Sequence, residues 1–173
     1  AAYADAVAGR VPSVMPGEIY CHSLTDRSIL GGAPLGSHTL TYFGVHAAAA
    51  LFEADPEGAK RLAVERALAA LDEHLVEPIQ SCLATDAEGR PCIEAKTPQE
   101  VERDLAMPGG HIYHGELDWP WAPSRARLDT PAQQWGVQTD LESVLVCGSG
   151  ARRGGAVSGI GGHNAAQAVL ASH

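Results

Sequence analysis

Apolar and polar positions alternate in two places near the start of the chain. Between Glu18 and Ser23, Ile19 and Cys21 alternate with Tyr20 and His22, which predicts a strand. His38 to His46 is richer in strand formers, with Leu40, Tyr42, Phe43 and Val45, and predicts a second strand. Between the two, Asp26 to Gly36 carries Gly31, Gly32, Pro34 and Gly36, which is turn and loop chemistry. Residues 1 to 16 end in Pro12 and Pro16 and are expected to form a lead-in helix or arm.

The period then changes. Val64, Leu68, Leu71 and Leu75 recur at helical spacing, with Lys60, Arg61, Glu65, Arg66, Asp72 and Glu73 on the other faces. Asp55 followed by Pro56 reads as an N-cap with a first-turn proline, so a helix is expected from Pro56 to Leu75, stopped by Pro78. Asp86 to Pro91 reads as a turn and Cys92 to Lys96 as a strand. Thr97, Pro98 and Glu100 form a capping box for a shorter helix through Leu105. Pro108-Gly109-Gly110 is a turn, followed by a short strand through Tyr113. Residues 115 to 137 hold Trp119, Trp121 and Trp135 among Pro120, Pro123 and Pro131, and are expected to form an ordered loop. Ser143 to Cys147 is expected to be a buried strand, followed by a glycine-rich loop and a helix from Gly161 or Gly162 to the end. The fold expected is α+β: a mixed or antiparallel sheet with helices on one side, plus the terminal strand–loop–helix.

Composition narrows the function. The 21 acidic residues outnumber the 12 basic ones, giving a net charge of -9. That balance argues against nucleic acid, which demands clustered Lys and Arg, and supplies no polybasic patch for an anionic membrane. No run approaches the roughly 18 to 20 apolar residues of a membrane span. No basic segment followed by an apolar one opens the chain, so no secretory signal is read, and a cytoplasmic location is expected. Cys21, Cys82, Cys92 and Cys147 include no CxxC pair and are expected to be reduced thiols, Cys147 as a small buried residue. The start at Ala1-Ala2-Tyr3, without methionine, is read as a processed or excised chain.

The segment richest in chemistry is the loop. Seven glycines fall between Gly148 and Gly162, after an apolar run and before an alanine-rich helix. Glycines let backbone approach a ligand closely, and a helix N-terminus offers unpaired N–H groups to an anion. A P-loop fails, because Gly154 is followed by Gly155 and Ala156 instead of Lys and Ser or Thr. A dinucleotide fingerprint also fails: Gly148 and Gly150 fit, but Arg153 stands at the third position. The residues after Gly148 are too few for the roughly 30-residue βαβ unit that motif serves. The loop does not open a nucleotide-binding domain, but it could close one.

The run from Val144 to Leu170 resembles the C-terminal signature of a flavoprotein family that includes phytoene desaturases and pyridine nucleotide-disulfide oxidoreductase domain-containing proteins. The motifs that carry the resemblance are Cys147-Gly148, Gly154-Gly155-Ala156, Val157-Ser158-Gly159 and Gly162-His163-Asn164-Ala165-Ala166. Upstream, Thr97-Pro98 with Glu100-Val101-Glu102, and Gly109-Gly110-His111-Ile112-Tyr113-His114-Gly115-Glu116, resemble further family steps in the same order. The family often has Thr-His-Pro-Gly where this chain has Ala151-Arg152-Arg153-Gly154, and its N-terminal GxGxxG segment is missing here.

What the resemblance implies is the C-terminal part of an FAD-dependent oxidoreductase acting on an apolar substrate. Residues 1–137 would be a substrate-side α+β domain and 138–173 the closing segment of the FAD-binding domain. FAD would lie against Gly148, Ser149, Gly150, Gly154, Gly155, Val157, Ser158, Gly159, His163 and Asn164. It would need an N-terminal half, covalent or supplied by a partner chain, and the fragment alone would be inactive. Two other readings remain open on the residues. The chain could be a non-enzymatic partner-binding domain or a homodimer. It could also be a metal enzyme using His111, His114 and Glu116, although on a strand His114 and Glu116 would share a face with His111 on the other. The tryptophans read first as core or loop anchors, and second as a substrate wall. His22, His38 and His46 lie on the two predicted strands, and His22 and His46 read as packed or exposed, not catalytic.

Overall fold

In a computed structural model, the chain is described at residues 1–114, 121–152 and 158–172. It divides into two compact units, Ala1–Val101 and Glu102–His173. The elements are helix α1 (Ala2–Val7), strand β1 (Gly17–Tyr20), strand β2 (Thr41–Gly44), and helices α2 (Pro56–Asp72), α3 (Pro98–Leu105), α4 (Pro131–Trp135) and α5 (Ile160–Ala171), with short 3-10 turns between them. The protein is α+β, but among the described residues the expected sheet reduces to one antiparallel pair.

In the first unit, Gly17 pairs with Gly44 and Tyr20 with Thr41, and Val45 N–H donates to Pro16 O at 2.9 Å to continue the ladder. Both predicted strands therefore exist but are shorter than their apolar patterns. His22 turns into a 3-10 helix (His22–Leu24), and His46 takes a left-handed φ of 63° that ends β2. His38 Nδ1 lies 3.1 Å from the Ser23 hydroxyl, and the His46 ring meets Tyr3 edge-on at 5.7 Å. Met15 and Phe52 are buried here. Arg66 reaches from α2 to the carbonyls of Val11 and Pro12, the latter at 2.9 Å, and so ties the lead-in segment to that helix.

Capping sets the helix starts as the sequence predicts. The Asp55 carboxylate accepts from Gly58 N–H at 2.9 Å to open α2. At α3 the Thr97 hydroxyl accepts from Glu100 N–H at 3.3 Å, while the Glu100 carboxylate accepts from Thr97 N–H at 2.8 Å. Glu100 also takes two 2.8 Å bonds from Lys60. That cation, followed by the Thr97 amide, holds its carboxyl below the usual range. The α2 helix ends at Asp72, one turn short of Leu75, where His74 and Leu75 N–H donate to Leu71 O and Asp72 O in tighter i→i−3 bonds, and the Asp72 carboxylate accepts from Ile79 N–H at 2.8 Å.

Several expected elements differ. Residues 92–96 form no strand: only Thr85 and Pro91 bridge, flanking the Asp86 turn. Residues 111–113 are a turn, since the glycines before them have φ of 63° and His114 takes 62°, all outside the β region. The expected loop 115–137 contains α4, whose Thr130 and Gln133 form a second capping box. Residues 115–120, with Trp119 and Pro120, lie outside the described residues. The predicted buried strand Ser143–Cys147 is an extended segment held by one bridge, Gln138 to Leu145, and by Val146 N–H to Val137 O at 2.9 Å. Val144 and Cys147 are exposed, which corrects the expectation that Cys147 is buried: among the described residues the segment has one bridge and no ladder to cover it. The four cysteines are free thiols.

Candidate functional site

The second unit is organised by α4 against α5. Val137, Ala165 and Ala168 are its buried core, flanked by Ala132, Trp135 and Leu145. The buried residues of α5, Gly161, Asn164, Ala165 and Ala168, recur at helical spacing, so one face of small side chains packs inward. Small residues let that helix come close. A Cβ on Gly161 would stand 2.6 Å from Gly148 O and 3.0 Å from Cys147 O, so the start of α5 lies directly on the chain leaving the extended segment.

This corner joins an extended segment, where the sequence predicts a strand, to α5, with residues 153–157 of the loop between them outside the described residues. Gly148, Ser149 and Gly150 leave the extended segment, and Ala151 N–H donates to Gly148 O at 3.0 Å to turn the chain. Gly154, Gly155 and Val157 lie outside the described residues. The loop returns at Ser158 and Gly159; Gly159, with φ of 68°, occupies the N-cap position of α5. Among the described residues the N-cap Gly159 supplies no side-chain cap and the first turn carries no acidic residue, while Ile160 N–H donates to Ser158 Oγ at 3.4 Å. The first N–H groups of a helix lack intrahelical partners; of those here, Ile160 N–H is taken by Ser158 Oγ and Gly161 is buried against the 147–148 backbone. Asn164 is buried at 6 % exposure, one turn further along. His163 is exposed, and its ring meets the edge of Trp135 at 6.0 Å, so Trp135 anchors the corner as expected of a core tryptophan.

The structure thus brings Gly148 to Gly150, Ser158, Gly159, His163 and Asn164 to one corner. Tyr113 N–H donates to His111 Nδ1 at 3.2 Å, and no group of three metal-ligating side chains occurs among the described residues. Glu116 lies outside them. Sequence reasoning missed a cavity of about 300 Å³ beside this corner, bordered by the loop before α4, by Gln133 and Gln138, and by Gly150 to Arg152. Its signal was present: Thr130-Pro131-Ala132-Gln133 repeats the capping-box pattern that located α3, and so marks the helix that forms one wall.

Comparison with known proteins adds relatives to this geometry. The chain is 55% identical over 173 residues to uncharacterized proteins of Mycobacterium bovis and Mycobacterium tuberculosis, covering 99% of this chain and 32% of each relative. It therefore spans about a third of the length of the curated relatives it matches. It is also 36% identical over 75 residues to the pyridine nucleotide-disulfide oxidoreductase domain-containing protein 2 of Rattus norvegicus, covering 43% of this chain and 12% of that protein. The Mus musculus counterpart is similar at 35%. The link to these oxidoreductase-domain proteins is distant and partial. No protein-family model and no solved structure matches the chain. No helix among the described residues is long and apolar enough to cross a membrane.

Proposed function

We propose that this chain is the C-terminal part of an FAD-dependent oxidoreductase of the phytoene-dehydrogenase-like kind, acting on an apolar substrate. The observation that carries the reading is the corner at α5: glycine-rich chain leads to a helix whose N-cap is Gly159 and whose first turn is free of acidic side chains. The partial similarity to oxidoreductase-domain proteins supports the same class. The residues present fit one side of a dinucleotide. The glycine at the start of α5, Gly159, and the small loop residues Gly148, Ser149 and Gly150 would admit backbone close to an electron-rich edge, and Asn164 adds a buried amide. A bound flavin would supply the hydride-accepting chemistry. The residues of this chain would position it, exclude water and close the site.

In this reading residues 1–137 face the substrate and 138–173 close the flavin site, which an N-terminal half or a partner chain completes. The accessible surface supports the need for a cover. The chain exposes 12333 Å², whereas two separate globular bodies with the sizes of its two units would expose about 9,700 Å² on the usual scaling with mass. The same excess favours a second reading, a partner-binding or dimerising domain without catalysis of its own. A visible absorption spectrum decides between them. The longer polypeptide carrying this segment should purify yellow, with a shifted flavin band, and lose it when Gly159 is replaced by Val. The 173-residue chain alone should show little turnover. A colourless full-length protein that takes up no added FAD would remove the flavin reading and leave the partner-binding one.

A further inference from the structure

Arg66, on α2, is a half-buried cation whose bonds all go to neutral groups. The helix positions one turn away are Leu62, Ala63, Ala69 and Ala70, so α2 supplies it with no carboxylate. Its Nη1 donates to the carbonyls of Val11 and Pro12, the latter at 2.9 Å. A guanidinium carries five N–H donors, so those on Nε and Nη2, its side-on fork, take no partner among the described residues. Drawing a charge out of water without a counter-charge is costly, and this chain has acidic residues in excess from which none is brought to Arg66.

Within the first unit Arg66 lines a cavity of about 350 Å³, together with Asp5, Arg10, Val11, Ser13 and Leu62. The carboxylate in that lining is committed elsewhere. Asp5 Oδ1 accepts from Arg10 at 2.7 Å, and Oδ2 accepts from the Ser13 amide at 3.0 Å and the Ser13 hydroxyl at 2.8 Å. Asp5 and Arg10 therefore cancel, and the charge of Arg66 is left over. Val11 and Leu62 add apolar surface beside it.

We propose that this cavity binds a small apolar carboxylate, whose charged end takes the Nε–Nη2 fork of Arg66 and whose hydrocarbon body lies against Val11 and Leu62. A guanidinium fork matches the two oxygens of a carboxylate in a bidentate way. The bonds to Val11 and Pro12 hold the guanidinium in place before any ligand arrives, which lowers the ordering cost of binding. The volume lies at the small end of the range for small-molecule sites, so the body is short. The site stands on residues of the first unit and does not rest on the flavin reading.

The test is a nuclear magnetic resonance titration of the 173-residue chain at low ionic strength, following the Arg66 Nε–H signal. The probes are hexanoate and its uncharged counterpart hexanamide. Hexanoate should shift that signal saturably, and hexanamide should bind at least about tenfold more weakly, because the charge-assisted pair is lost. Arg66→Lys, which keeps the charge without the fork, should weaken hexanoate binding by about tenfold, read from side-chain signals of Val11 and Leu62. Arg61→Gln, on the exposed side of α2, should bind like the unaltered chain, with circular dichroism showing that each variant is folded. If Arg66→Lys does not fold, the two probes on the unaltered chain decide alone. No saturable shift at Arg66, equal binding of hexanamide, or undiminished hexanoate binding by folded Arg66→Lys would overturn the proposal.

Discussion

Replacing Gly161 by alanine tests whether the α5 corner is as close as described. In an ordinary helix interior, glycine to alanine stabilises by about 1 kcal/mol, because the unfolded chain loses less freedom on folding. At Gly161 the added methyl would stand 2.6 Å from Gly148 O, 3.0 Å from Cys147 O and 3.2 Å from the Ala151 methyl. Two of these neighbours are backbone carbonyls, so relief requires α5 or the 147–151 turn to move. Overpacking of that kind costs about 1–3 kcal/mol, which matches or outweighs the propensity gain and leaves a net loss of up to about 2 kcal/mol. The adjacent residue is the control. A methyl on Gly162 would meet Cys147 O at 3.6 Å, an ordinary contact, so Gly162→Ala should be neutral or stabilising by up to about 1 kcal/mol. For a body as small as the second unit, each kcal/mol corresponds to about 4–8 °C in Tm. Hydrogen exchange of the α5 amides with thermal unfolding by circular dichroism would measure both. If Gly161→Ala proved as stable as Gly162→Ala, the close packing of α5 on the turn would be refuted.

Two further outcomes concern the first unit. Thr97 is a buried N-cap whose hydroxyl accepts from Glu100 N–H. Thr97→Ala should therefore lower stability by about 1 kcal/mol in urea unfolding, and Thr97→Ser should restore most of it. Asp5 accepts from Ser13 N–H at 3.0 Å, from Arg10 at 2.7 Å and from the Ser13 hydroxyl at 2.8 Å. The Ser13 amide first, and then the Arg10 guanidinium, hold its carboxyl far below the usual carboxylate range. A depressed folded-state pKa means that this contribution is complete above the unfolded value near 3.9 and is lost as pH falls towards the folded one. The Asp5→Asn variant should accordingly lose less stability than the unaltered chain between neutral pH and strong acid. A carboxyl chemical shift titrating at the ordinary position would contradict the tether.

Local chemistry was legible from the chain wherever partners lie close in sequence. Asp55 with Pro56 and Thr97 with Glu100 are satisfied within one turn, so the starts of α2 and α3 follow from residue type alone. The same reasoning reached the glycine loop and the helix after it, because the N-cap conformation at Gly159 is a backbone property of glycine. It would have reached α4 had the Thr130–Gln133 box been weighed above the surrounding prolines and tryptophans. What the sequence could not supply was pairing between distant segments. Ile19, Tyr42 and Val144 have the composition of strand residues, yet a strand exists only where another backbone takes its hydrogen bonds. Here β1 finds β2, whereas residues 143–147 find one bridge and 92–96 none. The cavity arose the same way: Arg127, Gln138 and Arg152 carry no common motif, and the fold of the second unit alone brought them to one wall.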